Sequence, residues 1–413
     1  MIPKHYMSTS KVKNTTEADR ITFKISDGKN LVCEQTVTAG QIEYEAVMLP
    51  FSTTDIISSQ ATFRQSIQIN IPSPKLWSPD SPFLYDVEIE LYHNGKKVDQ
   101  IKSYCAMRKV SIGRDAQGLL RLQLNNKMIF HNGPLDQGWW PDGLYTAPSD
   151  EALVYDIKKT KELGFNMIRK HVKVEPARWY THCDRIGILV WQDMPSCDYD
   201  KGEKSPEWVP WNYFNGRDVN LPAEDMATYC KEWKEIMDFL YSYPSIVMWV
   251  PFNEAWGQFC TKAIADWTKK YDPSRTVNAA SGGNLYADAG EVLDTHYYPG
   301  PELRLFNPNK VNVIGEYGPC GFQIIGHDWY APTGVHDPAK LRQEYIDQTN
   351  KYINAMNLLK TEIGKGASAA VYCQTTDVFR ESNGLVTFDR KSRKFNEKEF
   401  TEANKEISDY FGK

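Results

Sequence analysis

The stretch VMWVPFNEAWG, residues 247–257, runs an apolar segment straight into an amide and a carboxylate, Asn253 and Glu254. A second run, VNVIGEYG at 311–318, ends in Glu316 between Gly315 and Gly318. A carboxylate closing a buried strand is costly to desolvate unless something uses it. Two such groups facing one another are the minimal equipment for glycoside hydrolysis. One stays ionised, and the other carries a proton to help the leaving oxygen depart. Environment decides which is which. A separation of about 5–5.5 Å between the carboxyls gives retention of anomeric configuration, and a wider gap gives inversion. The neighbours suit that chemistry. The amide of Asn253 can hold a sugar 2-hydroxyl, the flanking glycines let backbone and substrate approach closely, and Tyr297 can donate to Glu316 and keep it anionic. An arginine near Glu316, with Arg169 as the candidate, would lower its pKa. The plainer alternatives are a helix-start carboxylate for Glu254 and a strand-end ion pair for Glu316.

Such residues need a frame that delivers them to one place. From about residue 127, short apolar runs alternate with amphipathic helical stretches. The runs are KMIFHNG, FNMIRKH, ILVWQDM, VMWVPFNE, TVNAA, VLDTHYY, VNVIGEY and AAVYCQT, and the helical stretches include 150–163, 176–186, 224–242, 258–271 and 339–360. Eight strands interleaved with helices predict an α/β fold, a (β/α)8 TIM barrel over residues 113–413. A doubly wound open sheet would call for a glycine-rich phosphate loop after the first strand, and none is present. In such barrels chemistry gathers at the carboxyl ends of the strands. Polar residues recur there: Asn132 with Asp136, Arg169 with His171, Asp193, Asn253 with Glu254, His296 with Tyr297, Glu316 with Tyr317, and Gln374 with Asp377.

Residues 1–112 have a different period. ITFKI, FRQSIQINI and FLYDVEIELYH alternate apolar and polar side chains, as half-buried strands do. Turn signals separate them at Asp27-Gly28, Pro72–Pro74, Ser78–Pro82 and Asn94-Gly95, the last a good hairpin turn. A small immunoglobulin-like β-sandwich is expected ahead of the barrel. The net charge of −5, with Lys and Arg dispersed, argues against nucleic acid as a partner. No apolar stretch approaches the roughly 20 residues that span a bilayer. The start, MIPKHYMSTSKVKN, has no apolar core and is not read as a secretory signal. Asn14-Thr15-Thr16 fits a glycosylation sequon, a pattern common by chance. The eight cysteines form no Cys-x-x-Cys pair and stand at no zinc spacing, so reduced thiols are expected. No metal and no cofactor are required by the chemistry above.

Other candidates carry two readings each. His296 is a sugar ligand or a core histidine, and Asp193 is expected to fix the exit of the third strand. Asp136 grips a sugar hydroxyl or caps its own turn. Trp139, Trp140, Trp256 and Trp329 are candidates for an aromatic wall against the sugar, with Trp256 first because it stands two residues after Glu254. Trp329 lies on a connection, 318–338, that is too long for a simple link.

The chain resembles glycoside hydrolase family 2, the group of β-galactosidases, β-glucuronidases and β-mannosidases. The resemblance runs from LWSPDSPFLYDVEIEL and YCAMRKVSI in the sandwich through FNMIRKHVKVEPARWYTHCDRIGILVWQDMPS in the barrel. MWVPFNEAW is similar to the family's acid/base motif, VIGEYGPCGF to its nucleophile motif and NGLVTFDR to the run after its last strand. The resemblance implies Glu254 as acid/base, Glu316 as nucleophile, a retaining mechanism, and Asn253 and Tyr297 against the sugar. It also implies that the chain starts after the family's usual amino-terminal jelly-roll domain. Here Arg169 and His171 are separated by one residue where the family commonly has Arg-x-x-His, the asparagine-lysine signature of β-glucuronidases is not evident after Glu316, and Tyr372 and Gln374 stand where a tryptophan closes the last strand. The expectation is therefore an exo-β-glycosidase of galactosidase type acting on a carbohydrate. Mannosidase, arabinofuranosidase or glucuronidase activity on the same machinery, or a silent carbohydrate-binding barrel, are the alternatives.

Overall fold

A computed structural model describes residues 5–8, 15–41, 43–47, 62–195, 218–318, 321–329, 335 and 337–412. Most of the amino-terminal MIPKHYMSTSKVKN stretch, with the sequon's Asn14, lies outside the described residues, as do Cys197 and Cys320 and parts of the 318–338 connection. The other six cysteines are free thiols. The chain divides into two compact units, Met1–Lys109 with Pro222–Pro244, and Val110–Leu221 with Ser245–Lys413.

The first unit holds two antiparallel sheets. One is four-stranded, in the order Asn30–Thr38, Arg20–Asp27, Tyr85–His93 and Lys96–Cys105, and the other joins His5–Ser8, Thr62–Asn70 and Glu43–Val47. Alternation sends Ile21, Phe23 and Ile25 into the same core as Ile67, Ile69 and Ile71. The hairpin at Asn94-Gly95 has both residues at positive φ, 49° and 77°, the backbone that a tight two-residue turn needs.

The second unit opens with a three-stranded meander, Val110–Arg114, Leu120–Leu124 and Lys127–Met128. Eight parallel barrel strands follow. The first three are His131–Asp136, Met167–Lys170 and Leu189–Asp193. The fourth and fifth each come in two pieces, Ile246–Val250 with Phe252–Asn253, and Thr276–Val277 with Ala280–Ser281. The last three are Val292–Tyr297, Val311–Tyr317 and Ala367–Tyr372. The hydrogen-bonded ladder runs from the fifth strand through the fourth to the first, then through the eighth and seventh to the sixth. Between the fifth and sixth, side chains bridge the seam: Asn278 Nδ2 and Ser281 Oγ each donate to Asp294 Oδ2 at 2.6 Å.

The five expected helical stretches are helices, Asp150–Glu162, Ala177–Ile186, Ala223–Leu240, Thr261–Tyr271 and Pro338–Lys365. Strict alternation fails in two places, because the connections 282–291 and 298–310 contain no helix. A sixth helix, Glu397–Phe411, was not among the expected stretches. It is capped by Asn396, whose side chain accepts from the amides of Lys398 and Glu399, and it buries Phe400, Ala403, Asn404 and Ile407 at helical spacing. These residues share a core with Tyr317 and Tyr372 of the seventh and eighth strands and with Tyr352, Met356 and Leu359 of the long helix.

Gly315 is packed tightly against a neighbouring strand. A Cβ there would fall on the Asp294 carboxylate, well inside van der Waals contact, and Asp294 is fully buried and holds the fifth-to-sixth seam. Gly315→Ala is expected to destabilise the chain by about 3 kcal/mol, since the overpacked carboxylate has nowhere to go. Chemical denaturation measures this, and a loss under about 0.5 kcal/mol, the range of ordinary surface substitutions, would refute the seam argument.

Candidate active site

The strand exits gather one connected polar cluster. Arg169, at the end of the second strand, is fully buried. Its Nε and Nη2 bind the two carboxylate oxygens of Asp193 at 3.2 and 3.0 Å. Nη2 also donates to Asn253 Oδ1 at 2.7 Å, and Nη1 reaches Glu316 Oε1 at 3.1 Å and the carbonyl of Gly315 at 3.2 Å. Burial opposes the charge of this guanidinium, but the charges of Asp193 and Glu316 more than compensate and push its pKa up. One residue past the strand, His171 places Nδ1 3.0 Å from Asp193 Oδ2. The ion pair expected of Glu316 and the site role expected of Arg169 thus occupy the same geometry.

Glu254 follows the outer piece of the fourth strand. It is not at a helix start, since the next helix begins at Thr261. Glu254 and Ala255 both have positive φ, 47° and 65°. For residues with a side chain this costs of order 1–3 kcal/mol each and persists only where surrounding contacts enforce it. Here the amide of Glu254 donates to Ser281 O at 2.9 Å and that of Trp256 to Asn253 O at 2.9 Å. The bend brings Glu254 Oε1 to 2.8 Å from His296 Nδ1.

His296 is fully buried and its two ring nitrogens have separate partners. Ser281 Oγ lies 2.6 Å from Asp294 Oδ2 and 2.8 Å from His296 Nε2, and Nδ1 faces the Glu254 carboxylate, so both ring nitrogens have partners that suit a positive charge on the ring. Burial opposes that charge, but Glu316, Glu254 and Asp294 outweigh burial and raise its pKa. Burial likewise pushes Glu254 up, yet the hydrogen bond and charge of His296, with His171 and Arg169 behind, hold its carboxyl at about 2.

The tyrosine at this cluster is Tyr298, one residue beyond the expected Tyr297. Its hydroxyl donates to Glu316 Oε2 at 2.5 Å and also lies 3.2 Å from Glu254 Oε1. Burial and the two carboxylates push its pKa up, so it stays a donor. Tyr297 instead lies under the Arg304 guanidinium, 4.8 Å from its ring centre. Asp294, His296 and Tyr298 are spaced two apart, so alternation sends them to one side of the chain and Tyr297 to the other. The nearest donor atoms of Glu254, His296 and Glu316 all lie within 4.8 Å of one another, the one such convergence among the described residues.

The remaining candidates divide. Asn253 is buried beside Glu254, and with Oδ1 given to Arg169 its Nδ2 has no partner among the described residues. Trp256 stands with its ring centre 6.3 Å from that of His171, at the edge of the cluster. Asp136 does not join it. Its carboxylate is taken by Lys170 Nζ at 2.7 Å and the amide of Gly138 at 2.9 Å, because the buried lysine on the neighbouring strand needs a counter-charge. Trp329 stacks on Phe388 at 4.5 Å and meets Trp139 edge-on at 5.6 Å, and no contact ties it to the carboxylates. Trp140 is buried under the guanidinium of Arg390, 3.8 Å from its ring centre. A groove lined by Arg342, Tyr345, Lys391 and Arg393 shares no residue with the cluster. Sequence reasoning missed Tyr298, Ser281 and Asp294. The aspartate and the second tyrosine of VLDTHYY were legible from their spacing, each standing two residues from His296.

Eight parallel strands that deliver paired carboxylates, an arginine and two histidines to one mouth, preceded in sequence by an antiparallel sandwich, define a (β/α)8 barrel of the carbohydrate-active kind. Residues 4–108 match glycosyl hydrolases family 2, and residues 121–299 match glycosyl hydrolases family 2, TIM barrel domain. The chain belongs to glycosyl hydrolase family 2. It is similar to a β-galactosidase of Lactococcus lactis subsp. lactis, 26% identical over 228 residues that cover 55% of this chain and 21% of the relative. A β-galactosidase of Halalkalibacterium halodurans is 25% identical over 380 residues, covering 87% of this chain and 35% of the relative. The chain thus spans roughly a fifth to a third of the length of these curated relatives. Among solved structures, it shares the fold of an FMN-binding β-glucuronidase from Facaelibacterium prausnitzii L2-6, with TM-score 0.65, 18% identity and coverage of 100% of this chain and 62% of that one. It also shares the fold of a β-galacturonidase from Eisenbergiella tayi, with TM-score 0.62, 16% identity and coverage of 98% and 71%.

The Glu254–His296 pair has a predictable pH window. A depressed carboxyl stabilises the fold above its unfolded value, about 4.3, and an elevated histidine stabilises it below its own, about 6.5. The pair therefore contributes fully between about pH 4.3 and 6.5, loses strength as pH falls toward 2, and fades as pH rises through the elevated folded value of His296. His296→Asn should lower the melting temperature most inside that window. A melting difference from the parent that is flat from pH 3 to 9 would contradict the pairing.

Proposed function

We propose that this chain is the catalytic part of a retaining exo-β-glycosidase that releases terminal β-linked sugars, galactosides first. The observation that carries this reading is the closeness of the Glu254 and Glu316 oxygens, within 4.8 Å, a spacing that suits double displacement better than the wider gap of an inverting pair. Glu316 attacks the anomeric carbon and forms the glycosyl ester. The bond to the departing oxygen breaks as that oxygen takes a proton from Glu254. Water then attacks the same carbon, gives its proton to Glu254, and frees Glu316.

The free site stores the needed proton on His296 Nδ1, pointed at Glu254 Oε1. Transfer along that bond makes Glu254 an acid and leaves His296 neutral. Sugar entering the cluster favours the transfer, since displacing water raises the cost of the separated charges. Arg169 and Tyr298 spread the charge of Glu316 before attack, and Tyr298 can follow Glu316 and Glu254 alike. The unpaired Nδ2 of Asn253 suits the sugar 2-hydroxyl, and Trp256 offers a flat face beside it. The preference for galactosides rests on the names of the sequence relatives and on the missing asparagine-lysine signature.

A panel of nitrophenyl β-glycosides tests the reading. Turnover of a neutral member, with kcat falling about a thousandfold or more in Glu316→Gln, is expected. A 2-fluoro glycoside should leave a covalent sugar on Glu316, detected by peptide mass. Sugar binding without turnover of any member would instead make the barrel a silent carbohydrate binder.

A further inference from the structure

The turn after the eighth strand carries a carboxylate that the chemistry above does not use. Glu381 closes a tight turn with Val378, its amide donating to Val378 O at 2.8 Å and its carbonyl accepting from Val378 N at 3.1 Å. Phe379 at the tip has φ 51°, a strained backbone for an aromatic residue, and is half exposed. Two amides hold the Glu381 carboxylate. Gln374, two residues past the eighth strand, donates Nε2 to Oε2, and Gln137, one residue past the first strand, donates Nε2 to the same oxygen at 3.1 Å. Oε1 takes no hydrogen bond among the described residues.

The ladder order fixes where this carboxylate stands. The eighth strand lies between the seventh, which ends in Glu316, and the first, and the amide of Cys373 donates to Tyr317 O at 2.8 Å. Glu381 therefore spans the two strand exits beside Glu316. Part of the side chain is open to solvent, but the protein packed round it pushes its pKa up, the Gln374 amide opposes this, and the negative charge of Glu316 adds to the rise. A second polar atom points to a ligand here: Gln374 is fully buried and its Oε1 has no partner. Two buried lysines are held by other groups, Lys170 by Asp136 and Glu175, and Lys173 by Glu175 and two carbonyls.

We propose that Glu381 sets the charge of the sugar this site accepts: its free oxygen takes hydroxyl hydrogen bonds from a neutral ring, and its charge repels a hexuronate. The proposal rests on the glycosidase reading above and adds the substrate class. Like charges at close range cost more than a rim contact gains, and salt screens only their exposed part.

The test uses matched sugars differing only at C6, nitrophenyl β-galactoside against β-galacturonide and β-glucoside against β-glucuronide, on the full chain. The parent should favour the neutral member of a turned-over pair by about 100-fold or more in kcat/KM. Glu381→Gln should cut that ratio about tenfold, chiefly through a lower KM for the uronide. Raising salt should narrow the ratio in the parent and leave the variant unmoved, a readout that a merely structural glutamate would not produce. A ratio unchanged in Glu381→Gln, or a parent that prefers the uronide, overturns the proposal while leaving the glycosidase reading intact. If the parent turns over neither pair, that reading fails on its own, and calorimetry with free galactose and galacturonate on both proteins then decides. A neutral preference lost in Glu381→Gln sustains the charge selection, and an unchanged preference or no binding of either sugar overturns it.

Discussion

The buried guanidinium of Arg169 is the constraint around which the site is arranged. A charge taken wholly out of water persists only with counter-charges and satisfied donors, and here Asp193, Glu316, Asn253 and the Gly315 carbonyl supply them from three different strands. The guanidinium fork is planar and rigid, so these partners are fixed relative to one another as well as to the arginine. Glu316 is thereby aimed, and Asn253 is turned so that its amide nitrogen is left over for something else. Lysine in this position would offer one point charge and could not hold four groups in one plane.

A second tension sits opposite. The fourth strand breaks after Val250 and resumes at Phe252–Asn253, where it pairs with an equally displaced piece of the fifth strand. That offset throws Glu254 into a left-handed backbone and into reach of His296. His296 in turn is held by Ser281, and Ser281 by Asp294, whose carboxylate needs the space left by Gly315. The glycine before Glu316 and the histidine beside Glu254 are thus two ends of one chain of contacts. The two carboxylates are positioned by shared neighbours, which is why they end up close despite their distance in sequence.

The alternation of barrel strands set the plan of the site, and the connections set its character. Connections 282–291 and 298–310 carry no helix, and the second of them begins with Tyr298, the hydroxyl shared by both glutamates. The turn after the eighth strand brings Glu381 over the mouth on two amides. Most of the similar sequences carry β-galactosidase names and one a putative β-glucuronidase name, while similar folds carry uronidase names. A barrel shared across both groups leaves the choice of sugar to a few groups at the rim.

By itself the sequence determined the two-part organisation, the eight apolar runs, and the two glutamates with Asn253 and Arg169. Period, turn chemistry and the polar residue at the end of each run are local properties, and they survive being read one residue at a time. Only the tertiary structure decided which neighbours count. It put Tyr298 on both glutamates and Tyr297 under Arg304, gave Asp136 to Lys170 instead of the mouth, and placed Trp329 against Phe388. It also paired His296 with Glu254 and put Glu381 beside the strand exits. Those outcomes depend on which charges and rings share a low-dielectric space, and no stretch of sequence contains both partners.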